Sequence, residues 1–140
     1  MKKDKNLQEL QIKLRELYIN RYNALYFENN YVKGNQLERK FTKIEETLIV
    51  SDEGVSLLKE LLDDDSEIVR YYSSSTLISL FPKKCKQILK EIEKNGQTHL
   101  ASDVKYVIQN YEQGNNYFQK FLKERESISS NFNINQRRTS

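Results

Sequence analysis

The sequence predicts an all-α fold, a superhelix of two stacked helical hairpins preceded by two helices and followed by one short helix. Three observations lead there. Glycine and proline are scarce, 4 and 1 in 140 residues, so the chain lacks the punctuation of tightly turned sheets. Apolar residues recur at spacings of three and four along most of its length. The middle of the chain also repeats itself: Leu58-Lys59-Glu60-Leu61 returns as Leu89-Lys90-Glu91-Ile92, a displacement of 31 residues, and at the same displacement Val69 falls on Leu100 and Leu77 on Ile108.

In chain order, Leu7, Leu10, Leu14, Leu17, Tyr18 and Leu25 form the apolar stripe of a first helix that runs to about Asn29, with Asp4 or Asn6 as its N-cap. Asn29-Asn30 and Gly34-Asn35 read as stop and restart signals. A second helix places Leu37, Phe41, Ile44 and Leu48 on one face, and Ser51-Asp52-Glu53-Gly54 reads as a loop and cap. The two repeat units then follow as helix, turn, helix, at about 54–63 with 66–80 and about 83–94 with 98–112. Asp65 or Ser66 caps one turn, Asn95-Gly96 closes the equivalent helix of the second unit, and Pro82 takes a permitted first-turn position. Stacked units of this length bury their apolar faces against one another, and the two N-terminal helices supply an extra layer. After Gly114-Asn115-Asn116, the cluster Tyr117, Phe118, Phe121 and Leu122 forms a capping helix. Residues 1–126 make one domain; 127–140 is a polar tail, expected to be mobile from Asn131 onward.

The segment Leu61-Leu62-Asp63-Asp64-Asp65-Ser66-Glu67-Ile68-Val69-Arg70, followed by the small pair Ser73-Ser74 and by Leu77, resembles the core of a HEAT repeat. The layout from about Leu7 to Tyr111, with Tyr22-Asn23 in the long first helix, is similar to a family of short bacterial HEAT-like domains of unknown function. The resemblance implies a HEAT-like α-α superhelix. It covers roughly three quarters of the chain and rests on packing motifs, which specify a fold and not an activity. The second unit departs from it, with Gly96 at the position of Asp65 and Ala101 at that of Arg70.

No stretch approaches the roughly 20 apolar residues of a membrane span, and the polar start is unlike a signal core, so a cytoplasmic protein is expected. The single cysteine, Cys85, excludes an intrachain disulfide framework and suits a reducing compartment. The net charge of +3 conceals an asymmetry: residues 51–70 carry 7 acidic and 2 basic residues, whereas 1–50 carry 10 basic and 7 acidic and 71–140 carry 11 basic and 6 acidic. A local negative block says more about partners than the total charge does.

No convergent set of nucleophile, base and oxyanion donor can be named, and neither a cofactor nor a metal is expected. His99 is the only histidine and reads as a surface residue. Cys85 has no second His or Cys to activate it and reads as an inert, partly buried thiol. Asp63-Asp64-Asp65 with Glu67 lacks calcium-loop spacing, and helix capping accounts for most of the run. Tyr71-Tyr72 follow one turn later, and since neighbouring helical residues point about 100° apart, one of the two is expected in the core and the other near the surface.

Asp63, Asp64, Glu67, Tyr71 and Tyr72 are therefore the candidate partner-binding residues of a non-enzymatic protein-binding module. Its most concrete form is an immunity or antitoxin protein that occludes a basic toxin domain, such as a nuclease, in the cytoplasm. The alternative is a nucleic-acid-binding module resembling the HEAT-like bacterial alkylpurine DNA glycosylases. Its support is the lysine stripe of Lys83, Lys86, Lys90 and Lys94, spaced to share a helix face.

Overall fold

The computed structural model describes residues 5–126, and every regular element among them is helical. The polar tail expected at 127–140 and the cap at Asp4 lie outside the described residues. In order, the elements are α1 (Lys5–Tyr26), α2 (Tyr31–Ile49), α3 (Asp52–Glu60) running into a 3-10 turn (Leu61–Asp63), α4 (Glu67–Leu77), α5 (Pro82–Asn95), a second 3-10 turn (His99–Asp103), α6 (Val104–Glu112) and α7, residues 117–126. None of the described helices is long and apolar enough to cross a membrane.

The apolar stripes close on one continuous core. Leu14, Leu17, Tyr18 and Tyr22 of α1 meet Phe41, Ile44 and Leu48 of α2, Leu57 and Leu58 of α3, Val69 and Leu77 of α4, and Leu89 and Ile92 of α5, all of them buried. Phe118 of α7 joins from the far end. Ser73 and Ser74 of α4 are fully buried; the hydroxyl of Ser73 donates to the Val69 carbonyl, one turn back, at 2.8 Å.

Two glycines read as punctuation lie inside helices. The restart comes earlier than Gly34-Asn35: Asn29 takes a left-handed φ of 51°, and the Asn30 side chain caps α2 by accepting from the Lys33 N–H at 3.0 Å. Gly34 is then buried in the first turn of α2, where a Cβ would stand 2.6 Å from Leu25 Cδ2. Gly54 lies within α3, which is capped by Ser51, and an added Cβ would stand 1.9 Å from the Leu48 carbonyl oxygen. Only a residue without a side chain lets the end of α2 pass so close to α3.

The turn into α4 is clamped from several sides. Asp64 Oδ1 accepts from the Ser66 N–H at 2.8 Å, and Arg70 Nη1 donates to the carbonyls of Asp64 and Asp65 at 2.7 and 3.0 Å. Ser66 is the N-cap and Pro82 opens α5, as the sequence predicts. Tyr71 and Tyr72 depart from expectation, because both are buried, each about 7% exposed. The physical reason is that α4 packs against both α1 and α5, so it has more than one covered side. The Tyr72 ring stacks on Tyr18 at 5.2 Å, and Tyr71 meets the Tyr72 ring edge-on at 5.3 Å.

Candidate binding groove

A concavity of about 1270 Å³ lies between α2, α4, α6 and the start of α7. Helical periodicity builds its walls. The exposed face of α2 supplies Asn35, Gln36, Arg39, Lys40 and Lys43, at three- and four-residue spacings. Glu38, Thr42 and Glu46 join them between that face and the buried stripe of Phe41 and Glu45, which also borders the groove. From α4 come Tyr71, Tyr72, Ser75 and Thr76, and from the far side Val107, Asn110, Asn115, Asn116, Tyr117 and Phe118. Asn116 fixes that far side: its Nδ2 donates to the Ser75 carbonyl at 3.1 Å and its Oδ1 accepts from the Gln119 N–H at 3.0 Å, capping α7.

Two polar clusters shape the floor, the first partly exposed and the second buried. Arg21 of α1 donates through Nη1 to the Tyr72 hydroxyl at 3.0 Å and through Nη2 to Glu38 at 2.9 Å, with its guanidinium 5.9 and 5.7 Å from the Phe41 and Tyr72 ring centres. Beside it, Glu45 is a carboxyl with 2% exposure whose Oε2 is bonded to the hydroxyls of Tyr18, at 2.5 Å, and Thr76. Thr76 Oγ1 also lies 3.0 Å from the Tyr72 carbonyl. The Thr76 hydroxyl donates to Glu45 Oε2 and has the Tyr72 carbonyl as its second acceptor, so its one proton is shared between the two. Burial pushes the Glu45 carboxyl up to about 7, against the opposing bonds from Thr76 and Tyr18, and the charges of Glu38 and Glu46 act in the same upward direction.

The residues singled out from the sequence are divided between surfaces. Tyr71 and Tyr72 line the groove. Asp63 and Asp64 instead line a second cleft, of about 860 Å³, together with Asp65, Arg70, Lys84, Lys90, Glu91 and Lys94. Their charge is largely met within the protein. Arg15 Nε reaches Asp64 at 2.8 Å, and Lys84 reaches Asp63 at 3.3 Å. Burial acts to raise the Asp64 carboxyl, but the bonds from Arg15 and the Ser66 N–H outweigh it and hold the group below the usual range.

Glu67 belongs to neither concavity, and its carboxylate caps the next turn by accepting from the Gln97 and Thr98 N–H groups at 3.0 and 2.8 Å. Burial opposes ionisation there too, and those bonds again hold the group below its ordinary value. Of the lysine stripe, Lys90 and Lys94 share the second cleft with the acidic turn, and Lys86 pairs with Glu112 at 3.6 Å. Phosphate approaching those lysines meets Asp63, Asp64, Asp65 and Glu91 in the same cleft, which opposes binding.

Cys85 is fully buried, and burial pushes its thiol up to about 12. His99 is exposed, with its ring stacked on Tyr26 at 5.1 Å. No group of three or more His, Cys, Asp or Glu side chains among the described residues is placed to hold a metal ion. Sequence reasoning missed Arg21, Glu45 and the polar face of α2. Glu45 had a legible signal, since it stands four residues after Phe41 and three before Leu48 on the buried stripe. The chain matches no known family model, and no curated protein or solved structure is similar to it.

Proposed function

We propose that the protein is a non-enzymatic, HEAT-like protein-binding module that docks a segment of its partner in the groove between α2, α4, α6 and α7. The observation that carries this reading is the groove. At about 1270 Å³ it exceeds the roughly 300–1,000 Å³ of small-ligand pockets, and its walls combine amides, hydroxyls, cations and aromatic rings over a floor locked by Arg21 and Glu45. A rigid floor under adaptable polar walls suits capture of a polypeptide.

The HEAT-like part is supported by equivalent burial at the 31-residue displacement. Leu58 with Leu89, Leu61 with Ile92, and Val69 with Leu100 are all buried. Glu67, at the first turn, bonds the Thr98 N–H at its own position one period on. The concrete role we assign is neutralisation of a toxin enzyme in the cytoplasm by occlusion. Because Asp63, Asp64 and Glu67 are engaged within the fold, the groove takes over from the acidic turn as the docking surface in this reading.

Plugging each surface tests the proposal. Asn110→Trp fills the groove from an exposed position on α6, and Lys90→Glu alters the second cleft. With a candidate partner co-expressed and co-purified, Asn110→Trp is expected to abolish the complex and Lys90→Glu to leave it intact. The reverse result would assign binding to the lysine-bearing cleft and overturn the reading.

A further inference from the structure

We propose that the groove selects an extended, acidic polypeptide segment. This rests on the protein-binding reading above and specifies the partner's chemistry, which is the opposite of the basic partner that the acidic block in the sequence suggests.

Charge argues first. Arg39, Lys40 and Lys43 stand exposed on the α2 wall, and none of the three forms an ion pair among the described residues. The groove's acids do not offset them equally. Glu38 is held by Arg21 at 2.9 Å, Glu45 is shut into the floor beneath Tyr18 and Thr76, and only Glu46 remains, beside Tyr117. A segment lying along α2 therefore meets three cations one helical turn or less apart. Carboxylates at neighbouring positions of an extended chain can reach them.

The walls argue for an extended chain. Asn35 and Gln36 on one side and Asn110 and Asn115 on the other present amide groups that both donate and accept. That is the complement of a free peptide backbone. A helix satisfies its own N–H and C=O groups internally and would leave those amides nothing to read. A nucleic-acid strand offers the same negative charge, but stacking its bases requires open aromatic faces. Tyr71, Tyr72 and Phe118 of the groove are only 7%, 7% and 5% exposed, which leaves Tyr117 as the one open ring among the four aromatics named here.

The test is fluorescence anisotropy with the full chain and four labelled probes: a short peptide of alternating glutamate and serine, the same peptide with lysine for glutamate, a serine–glycine peptide, and an oligothymidylate. The glutamate peptide is expected to bind most tightly and to weaken as salt rises. Its affinity should fall about tenfold in Arg39→Glu/Lys43→Glu, whose exposed changes leave the circular dichroism unaltered. Tighter binding of the lysine peptide or of the oligothymidylate would overturn the proposal, as would unchanged binding of the glutamate peptide to the double variant. Asn110→Trp separates the two levels. If a neutral or basic peptide binds and Asn110→Trp abolishes it, acidic selectivity falls while the groove reading stands. If no probe's binding depends on Asn110, both fall.

Discussion

Glu45 shows how one residue can join three helices and still escape notice in the sequence. It lies in the polar run Glu45-Glu46-Thr47, yet the turn of α2 carries its carboxyl onto the face that also buries Phe41 and Leu48, where Tyr18 of α1 and Thr76 of α4 close over it. Burial penalises the charged form, so the folded-state value of about 7 lies above the ordinary 4.5. The sign follows from linkage. A raised acid stabilises the fold fully below about pH 4.5, and that contribution is lost as the pH rises towards 7, by about 3 kcal/mol across the window. Chemical denaturation of the wild type from pH 4.5 to 7.5 should show this decline, and Glu45→Gln should flatten it. Equal slopes in the two proteins would mean that Glu45 is not the group that titrates.

At the scale of elements, the sequence is most legible where packing and local chemistry agree. The 3.6-residue periodicity, the Ser66 cap and Pro82 at the start of α5 placed α3, α4 and α5 within a few residues. The helix expected at 98–112 instead opens as a 3-10 turn over His99–Asp103 and turns α-helical only at Val104. Glycines misled because their usual role is to end helices, whereas Gly34 and Gly54 are used for close approach between helices, a property of the partner element that the local sequence does not encode. Gly54→Ala is expected to cost about 3 kcal/mol, the upper end for overpacking, because the obstructing atom is the Leu48 backbone carbonyl and not a side chain that can swing away. A thermal melt indistinguishable from wild type would show that the end of α2 yields freely. Tyr71 and Tyr72 were misjudged for a related reason: angular separation on one helix decides burial only when the helix has one covered side, and α4 has two.

Across the whole molecule, charge that is contiguous in sequence is dispersed by folding. The acidic block of 51–70 invites a basic partner when its residues are counted along the chain, but α1 brings Arg15 to Asp64 across 49 residues, and α5 brings Lys84 to Asp63. The two aspartates should therefore respond differently to reversal. Asp64→Lys loses the Arg15 pair and the Ser66 N–H bond and should destabilise by about 1–2 kcal/mol, whereas Asp63→Lys, at an exposed pair, should change stability by less than about 0.5 kcal/mol. Equal effects in urea melts would contradict that division.

The claim that the groove is the docking surface is tested most directly by photo-crosslinking. A compact aliphatic diazirine residue, which unlike tryptophan does not fill the groove, is introduced singly at Lys43, at Asn110 and, on the other concavity, at Lys90, and irradiated within the co-purified complex. The partner is expected to be captured from positions 43 and 110, at one contiguous segment of its chain, and not from position 90. Capture from position 90 alone would place the partner on the second cleft and contradict the account.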